Sequence, residues 1–392
     1  MLYYFDNAAS TKVFKEAAQA ALKVMTCYFA NASSIHGFGL KSEKILNSCR
    51  DVIAKCLKCS SDEVIFTSGA TESINLAIIG AAKKEKKRKK IITSSVEHSS
   101  TKNCLKHLKE KGYFVCEVAA RNGRFFAEDF LKLVDDDCFL VSVMHVNNEN
   151  GLILPVEEIA KKVKQKNSNV LVHVDAAQSF LKLPINLENI DCLSFSGHKF
   201  NAPKGVGCLI KKTNVKISPI FFGGGQEFGL RPGTQATALI AALDVAINKN
   251  LEHMENNSGH YLKLKDVLID RLKNNSNISY NFNECCAAYI VNVSVRGIRS
   301  QVLLQFLEKE GFIVSSGAAC SKNKKNVVLQ NLGYSEDVAN SAIRISFSKE
   351  NDEKSVCLLA ENILLAEKTL IKKTNPKNWV CFKMVYINFF VL

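Results

Sequence analysis

The chain has 392 residues, 47% hydrophobic and 23% charged, the proportions of an ordinary globular protein and enough length for two packed units. Its 14 cysteines lack the dense spacing of a disulfide scaffold, its opening lacks a basic-then-apolar secretory signal, and no run approaches the roughly 18 apolar residues of a spanning helix, so a reducing cytoplasmic setting without stable membrane insertion is expected. The net charge of +14, from 52 basic and 38 acidic residues, exceeds what solubility asks for and suits acidic partners or RNA.

Leu2 to Phe5 reads as a short strand, and Asp6-Asn7-Ala8-Ala9-Ser10 turns into a helix from Lys15 to Thr26. Asn31 to Gly39 is too rich in small residues for a regular element, which places the next helix from Leu40 to Lys55 and leaves His36 open to a structural or a functional role. Cys56 and Cys59 have a metal-like spacing, but no second pair lies nearby, and burial as small apolar side chains is the simpler reading. Val64-Ile65-Phe66 forms a strand that bends through Thr67-Ser68-Gly69 straight into a helix opening at Ala70-Thr71-Glu72 and running to Ala82. Small residues let backbone approach a ligand, the first-turn N–H groups lack helical partners, and Thr71 adds a hydroxyl, so the turn can seat a phosphate; capping by Ser68 or Thr71 explains the same pattern without one. The basic block from Lys83 to Lys90 has no interleaved aromatic residues to stack on bases and reads as a solvated helix end and loop. The strand Ile91-Ile92-Thr93 follows, and then His98, placed to stack on a planar ring.

Strands recur at 114–118, 139–143, 171–174, 192–195 and 206–210, with helical patterns at 100–111 and 156–166 between them. This alternation is that of an α/β wound sheet with helices on both faces. No G-x-G-x-x-G follows any strand, which argues against a nicotinamide cofactor. One strand ends in Asp175, with Gln178 a short turn later, and another turns out through Ser196-Gly197-His198-Lys199; a carboxylate and a lysine thus share the crevice where open sheets keep their chemistry. An amine beside a carboxylate suits an aldehyde cofactor, because lysine forms the Schiff base and aspartate keeps a pyridine nitrogen protonated. Asn148, just past the strand at 139–143, is a donor for the phenolic oxygen of such a ring, while Asn147 to Gly151 reads equally as a plain turn. The glycine-rich stretch 223–225 and Arg231-Pro232-Gly233-Thr234-Gln235 precede a helix at 236–247.

From Glu252 the character changes to a polar helix through Leu272, an asparagine-rich loop at 274–277 and strands near 288–293 and 343–347, a smaller α+β unit. Arg344 on an alternating strand needs a partner, and a bidentate hold on a substrate carboxylate is its best use. Cys320 sits in a small, polar run from Ser315 to Asn326 that reads as a mobile loop, with lysines near enough to favour its thiolate. The last stretch, 379–392, is apolar but interrupted by Lys383 and Asn388.

Several strings recur in one order: Asp6-Asn7-Ala8-Ala9, Thr67-Ser68-Gly69-Ala70-Thr71-Glu72-Ser73, Glu97-His98, Met144-His145-Val146-Asn147-Asn148-Glu149, His173-Val174-Asp175-Ala176-Ala177-Gln178-Ser179, Ser196-Gly197-His198-Lys199 and Ser316-Gly317-Ala318-Ala319-Cys320. In these the chain resembles, from Asp6 to about Lys349, the cysteine desulfurases of the pyridoxal-phosphate-dependent class V aminotransferase group, and most closely their long-loop branch in iron-sulfur assembly and tRNA thiolation. The resemblance implies an aspartate aminotransferase-like fold (fold type I), with a large cofactor domain at 15–250, a small domain from 1–14 and 251–378, and 379–392 outside it. It implies sulfurtransferase chemistry that converts L-cysteine to L-alanine and leaves the sulfur as a Cys320 persulfide. Pyridoxal 5'-phosphate would be held as an aldimine with Lys199. Ala70, Thr71, Ser196 and His198 would surround its phosphate, His98 its ring face with a share in proton movement, Asp175 its pyridine nitrogen, and Asn148 and Gln178 its phenolic oxygen. Arg344 would take the substrate carboxylate. Thr234 would reach the phosphate of the other subunit of a homodimer, and the stretch 31–39 resembles a loop near the active site. An iron-sulfur scaffold protein or a tRNA-thiolation acceptor would receive the sulfur; no intrinsic metal is implied, although Cys320 could share a cluster transiently with a scaffold. Three departures stand out: Pro232 where serine is usual, Ala318 where serine is usual, and a slightly short stretch before Leu329-Gln330-Asn331-Leu332-Gly333. Ordinary aminotransfer or selenocysteine lyase action would share Lys199 and Asp175 without needing Cys320, and a non-enzymatic assembly role on the same fold is the third alternative.

Overall fold

This computed structural model describes residues 2–252, 254–316 and 327–371, without the side chains of 254–257. The expected mobile loop around Cys320 and the apolar tail at 379–392 lie outside the described residues.

In chain order the elements are β1 (Tyr3–Tyr4), α1 (Lys15–Cys27), α2 (Gly37–Leu57), β2 (Val64–Thr67), α3 (Ala70–Lys84), β3 (Lys90–Ser94), α4 (Ser99–Glu110), β4 (Phe114–Val118), α5 (Ala127–Leu133), β5 (Cys138–Met144), α6 (Val156–Lys166), β6 (Leu171–Asp175), β7 (Cys192–Ser196), β8 (Gly207–Lys211) and α7 (Thr237–Leu251). The smaller part adds α8 (Met254–Leu272), β9 (Ile278–Tyr280), β10 (Ile290–Val295), α9 (Ser300–Lys309), β11 (Phe312–Ile313), α10 (Val327–Asn331), α11 (Glu336–Asn340), β12 (Ala342–Ser346) and α12 (Glu353–Ile371).

Seven strands form the large sheet in the order β2-β8-β7-β6-β5-β3-β4. β8 runs antiparallel to both neighbours and the remaining pairings are parallel. The reversal of β8 therefore leaves β2 parallel to β7, and the carboxyl ends of β2, β3, β5, β6 and β7 open on one edge. Strands covered on both faces must be apolar throughout, and β5 and β7 are buried at every residue. Alternate side chains feed two cores. Val64 and Phe66 join Val141, Val143, Val172, Val174 and the inner stripes of α1, α2, α6 and α7, while Ile65, Ile91 and Leu140 pack with α3 and α4. α6 shows why these helices form where they do: Glu157 and Glu158 in its first turn and Lys164 and Lys166 in its last complement the helix dipole, and Val156, Ile159, Ala160 and Val163 make the buried stripe.

A third core belongs to the smaller part. The antiparallel sheet β12-β10-β9 packs Val291, Val293, Ile343 and Ile345 against Leu264 and Leu268 of α8, Leu303 and Leu307 of α9, and Leu359 and Ile363 of α12. β1 pairs in parallel with β11, Phe5 enters this core, and Asp6 bridges to Ser346. The chain's first strand is thereby tied to its last, and Asn7 to Ser10 run past the open edge of the large sheet.

Several expectations change. α2 starts at Gly37, not Leu40: the His36 ring accepts the Gly39 N–H at 3.2 Å and caps the helix, and the small residues before it serve a close approach of Gly39 to Ser34. α7 runs to Leu251, past the expected end at Ile247. α5, α9, α10, α11, α12, β9 and β11 go beyond the elements read from sequence, most being too short for a periodic signal.

Candidate active site

The carboxyl edge of the large sheet, the turn at Ala8 and Ala9 and Arg344 of β12 line a cavity of about 480 Å³. Ala70, Thr71, His98, Asn148, Asp175, Gln178, Ser196, His198, Lys199 and Arg344 all lie on its wall. Thr234 does not. It is exposed on the loop before α7, outside the cavity.

At one end β2 passes into α3 through Gly69, whose φ of 152° favours glycine and where a Cβ would stand 3.2 Å from Ser196 Oγ. Neither Ser68 nor Thr71 caps the helix: Gly69 is the N-cap, no side chain covers it, and the Ser68 N–H turns aside to Glu72 Oε2 at 2.8 Å. The capping explanation of this sequence pattern is thus set aside. The turn instead presents the uncovered N–H groups and the exposed Thr71 to the cavity, the make-up of an anion seat. His198 adjoins it, 3.3 Å from Ser10 Oγ, and burial together with Lys199, Lys204 and Lys182 pushes its pKa down to about 4.

At the other end Asp175 terminates β6, 4% exposed, and accepts the Ala177 N–H at 2.9 Å. Burial raises its pKa, against the Ala177 hydrogen bond and the attraction of His98 and Lys199. A positive ring nitrogen placed beside it would restore the carboxylate. Lys199 stands on the turn after β7 and donates from Nζ to the carbonyls of Ala8 at 2.7 Å and Ala9 at 2.9 Å. Gln178 Nε2 donates to the same Ala8 carbonyl at 2.8 Å, while its Oε1 is buried without a protein partner. The string Asp6-Asn7-Ala8-Ala9 was legible, but not that its carbonyls hold the lysine.

His98 is the N-cap of α4. Its Nδ1 accepts from the Ser100 N–H at 3.2 Å and lies 2.7 Å from Ser100 Oγ, and burial lowers its pKa, so the ring enters the cavity neutral with its proton on Nε2. The turn after β5 is built by Asn147, whose Oδ1 accepts the N–H groups of Glu149 at 2.8 Å and Asn150 at 3.3 Å. The segment is a turn, and the turn leaves Asn148 on the cavity wall. Arg344, 3% exposed on β12, meets Asp6 Oδ1 through Nη2 at 2.7 Å and the Asn148 carbonyl through Nη1 at 2.8 Å, and its Nε is buried without a partner. Those two partners make burial of the charge tolerable and hold the guanidinium in place.

Glu72 and Lys204 also line the cavity, residues that sequence reasoning gave no role. Cys56 and Cys59 are half-buried free thiols away from it, and no group of metal-ligating side chains occurs among the described residues. Cys320 lies outside the described residues.

The loop bearing Thr234 is anchored below the surface. Glu227 and Phe228 both adopt positive φ, 49° and 58°, and Glu227 is held by Arg50 at 2.5 Å, the Phe66 N–H at 2.8 Å and Gln235 at 3.3 Å. Arg50 lies against the rings of Phe66 and Phe228. Arg50→Met would strand a buried carboxylate, and a loss of about 3–5 kcal/mol of stability is expected in guanidinium unfolding.

An anion seat, a buried carboxylate and a lysine on the wall of one cavity, with unpartnered buried polar atoms on Gln178 and Arg344, fit a flat, phosphate-bearing aldehyde cofactor. The comparisons agree with this chemistry. The model of the family "Aminotransferase class-V" matches residues 3–359. The chain is 35% identical over 384 residues to "Cysteine desulfurase IscS" of Rickettsia prowazekii (strain Madrid E), covering 95% of this chain and 92% of that protein. Among solved structures it is similar to a "NIFS-LIKE PROTEIN" with a TM-score of 0.88 and 37% identity, covering 94% of this chain and 99% of that one. It is also similar to "SspA in complex with cysteine", with a TM-score of 0.78 and 34% identity over 88% and 98% of the two chains. With matches of this extent over the whole wound sheet and the smaller unit, the chain belongs to the pyridoxal-phosphate-type class-V aminotransferase family, as an IscS-like cysteine desulfurase relative.

Proposed function

We propose that the protein converts L-cysteine to L-alanine and passes the sulfur, as a persulfide on Cys320, to an acceptor in iron-sulfur assembly or tRNA thiolation. The observation that carries this reading is the convergence of Lys199, Asp175 and Arg344 in one cavity, in a chain similar to cysteine desulfurases over nearly its whole length. Pyridoxal 5'-phosphate bound there would supply an aldehyde for amine capture and an electron sink for the bond-breaking at the substrate's α and β carbons.

The residues divide the work. Lys199, aimed by the Ala8 and Ala9 carbonyls, would hold the aldehyde of the cofactor and would be the base for the substrate's α-proton. Asp175 would keep the ring nitrogen protonated, Asn148 and Gln178 would meet the phenolic oxygen, and His98 would cover the ring. Ala70, Thr71, Ser196 and His198 would take the phosphate, and Thr234 would complete the seat of a second subunit, which would make a homodimer part of the design. Among the described residues no helix is long and apolar enough to cross a membrane.

Incubation of the purified protein with L-cysteine without reductant tests the reading. One alanine per active site and one reductant-labile sulfur on the protein are expected; a colourless protein that forms neither would overturn it. Arg344→Lys keeps the charge but loses the planar fork, so the KM for cysteine should rise about 10- to 100-fold with the absorbance of the bound cofactor unchanged. An unchanged KM would remove Arg344 from carboxylate binding.

A further inference from the structure

The turn that opens α3 contains a conflict. Glu72 lies in the first turn and lines the same cavity as Ser68, Gly69, Ala70 and Thr71. A carboxylate there favours the helix, and its Oε2 accepts the Ser68 N–H at 2.8 Å. A phosphate dianion seated on the same turn would nevertheless face that charge at short range in a site partly shielded from water, where like charges repel strongly. The structure brings the remedy from far along the chain. Arg231 Nε donates to Glu72 Oε1 at 3.1 Å, and the two side chains keep only 27% and 8% of their exposure.

We infer that Arg231 is a positioning residue for the cofactor phosphate, cancelling the charge of Glu72 so that this carboxylate can organise the turn without repelling the anion. The inference rests on the reading of this turn as a phosphate seat. Arg231 is not required to fasten its own loop, which is already pinned through Glu227 to Arg50 and β2 and through Gln226 Oε1 to the Gly233 N–H at 3.1 Å. Nor can Glu72 readily swing away, since both of its oxygens are engaged and it is almost fully covered. His198 does not take over the task of neutralisation, because its depressed pKa leaves it uncharged at neutral pH.

The test compares two probes on the full chain, pyridoxal 5'-phosphate and pyridoxal, which differ only in the phosphate. Dissociation of each from the loaded protein is followed by absorbance. Arg231→Met should weaken retention of pyridoxal 5'-phosphate by about tenfold, the scale of one partly screened charge contact, and leave pyridoxal unchanged. Arg231→Lys should keep most of the affinity, and Arg231→Met combined with Glu72→Gln should recover most of the loss. If Arg231 served only to aim the loop bearing Thr234, the double variant would stay as weak as Arg231→Met, and the inference would fall. Equal weakening of both probes, or no weakening, would also overturn it. A wild-type protein that did not distinguish the two probes would instead reject the phosphate seat itself, so the two failures are separable.

Discussion

Lys199→Ala is expected to end turnover of cysteine, with a fall of about 10⁴-fold or more in alanine formation, because covalent holding and proton transfer would be lost together. Two other lysines are near enough to ask whether they could substitute. Lys204 lines the same cavity, and Lys182, whose pKa burial brings down to about 7, shares a small chamber behind it with Lys199. Of the three, Lys199 is the one whose charge is felt by Asp175, and its Nζ is aimed by the Ala8 and Ala9 carbonyls. Reduction of the loaded protein with borohydride and peptide mapping should put the cofactor on Lys199. In Lys199→Ala the cofactor should remain bound but not become fixed by reduction. An adduct mapped to Lys204 or Lys182 would reject the assignment.

The parts of this site that could be read from sequence are those defined by local signals. Asp175 and Lys199 each follow a short apolar run bounded by small polar residues, and such runs are strands whose carboxyl ends open on a crevice. The parts that could not be read depend on contacts across long stretches of chain. Arg344 meets Asp6 from 338 positions away and Asn148 from 196, and no periodicity reports such pairing. Local pattern held at 31–36 but misled at 37–39, where small residues that looked irregular open a helix packed against neighbouring backbone. The reversal of β8 is a further case. Its five residues read as a buried strand in either direction, yet the direction decides that β2 and its anion seat open on the same edge as Asp175.

Cys320→Ser is expected to abolish the protein-bound sulfur and to lower alanine formation from L-cysteine by about 10³-fold, with the bound cofactor's absorbance intact, because a hydroxyl at its ordinary pKa is a poor nucleophile towards sulfur. The case for Cys320 comes partly by elimination. Twelve cysteines fall among the described residues, and none of them lies on the wall of the cavity. Burial pushes the thiols of Cys104 and Cys192 up to about 12 and those of Cys138 and Cys286 to about 11, and it raises Cys49 and Cys208 as well, so these remain protonated at neutral pH. Cys320 and Cys381 complete the 14, and of the two Cys320 belongs to a string, Ser316-Gly317-Ala318-Ala319-Cys320, in which the sequence resembles cysteine desulfurases. Reaction with sulfur-labelled cysteine and peptide mapping should therefore place one reductant-labile label on Cys320, and Cys381→Ser should leave that label in place. Selenocysteine lyase-type action needs Lys199 and Asp175 but not Cys320, so full alanine formation by Cys320→Ser would move the protein to that class, whereas a keto acid in place of alanine would point to ordinary aminotransfer.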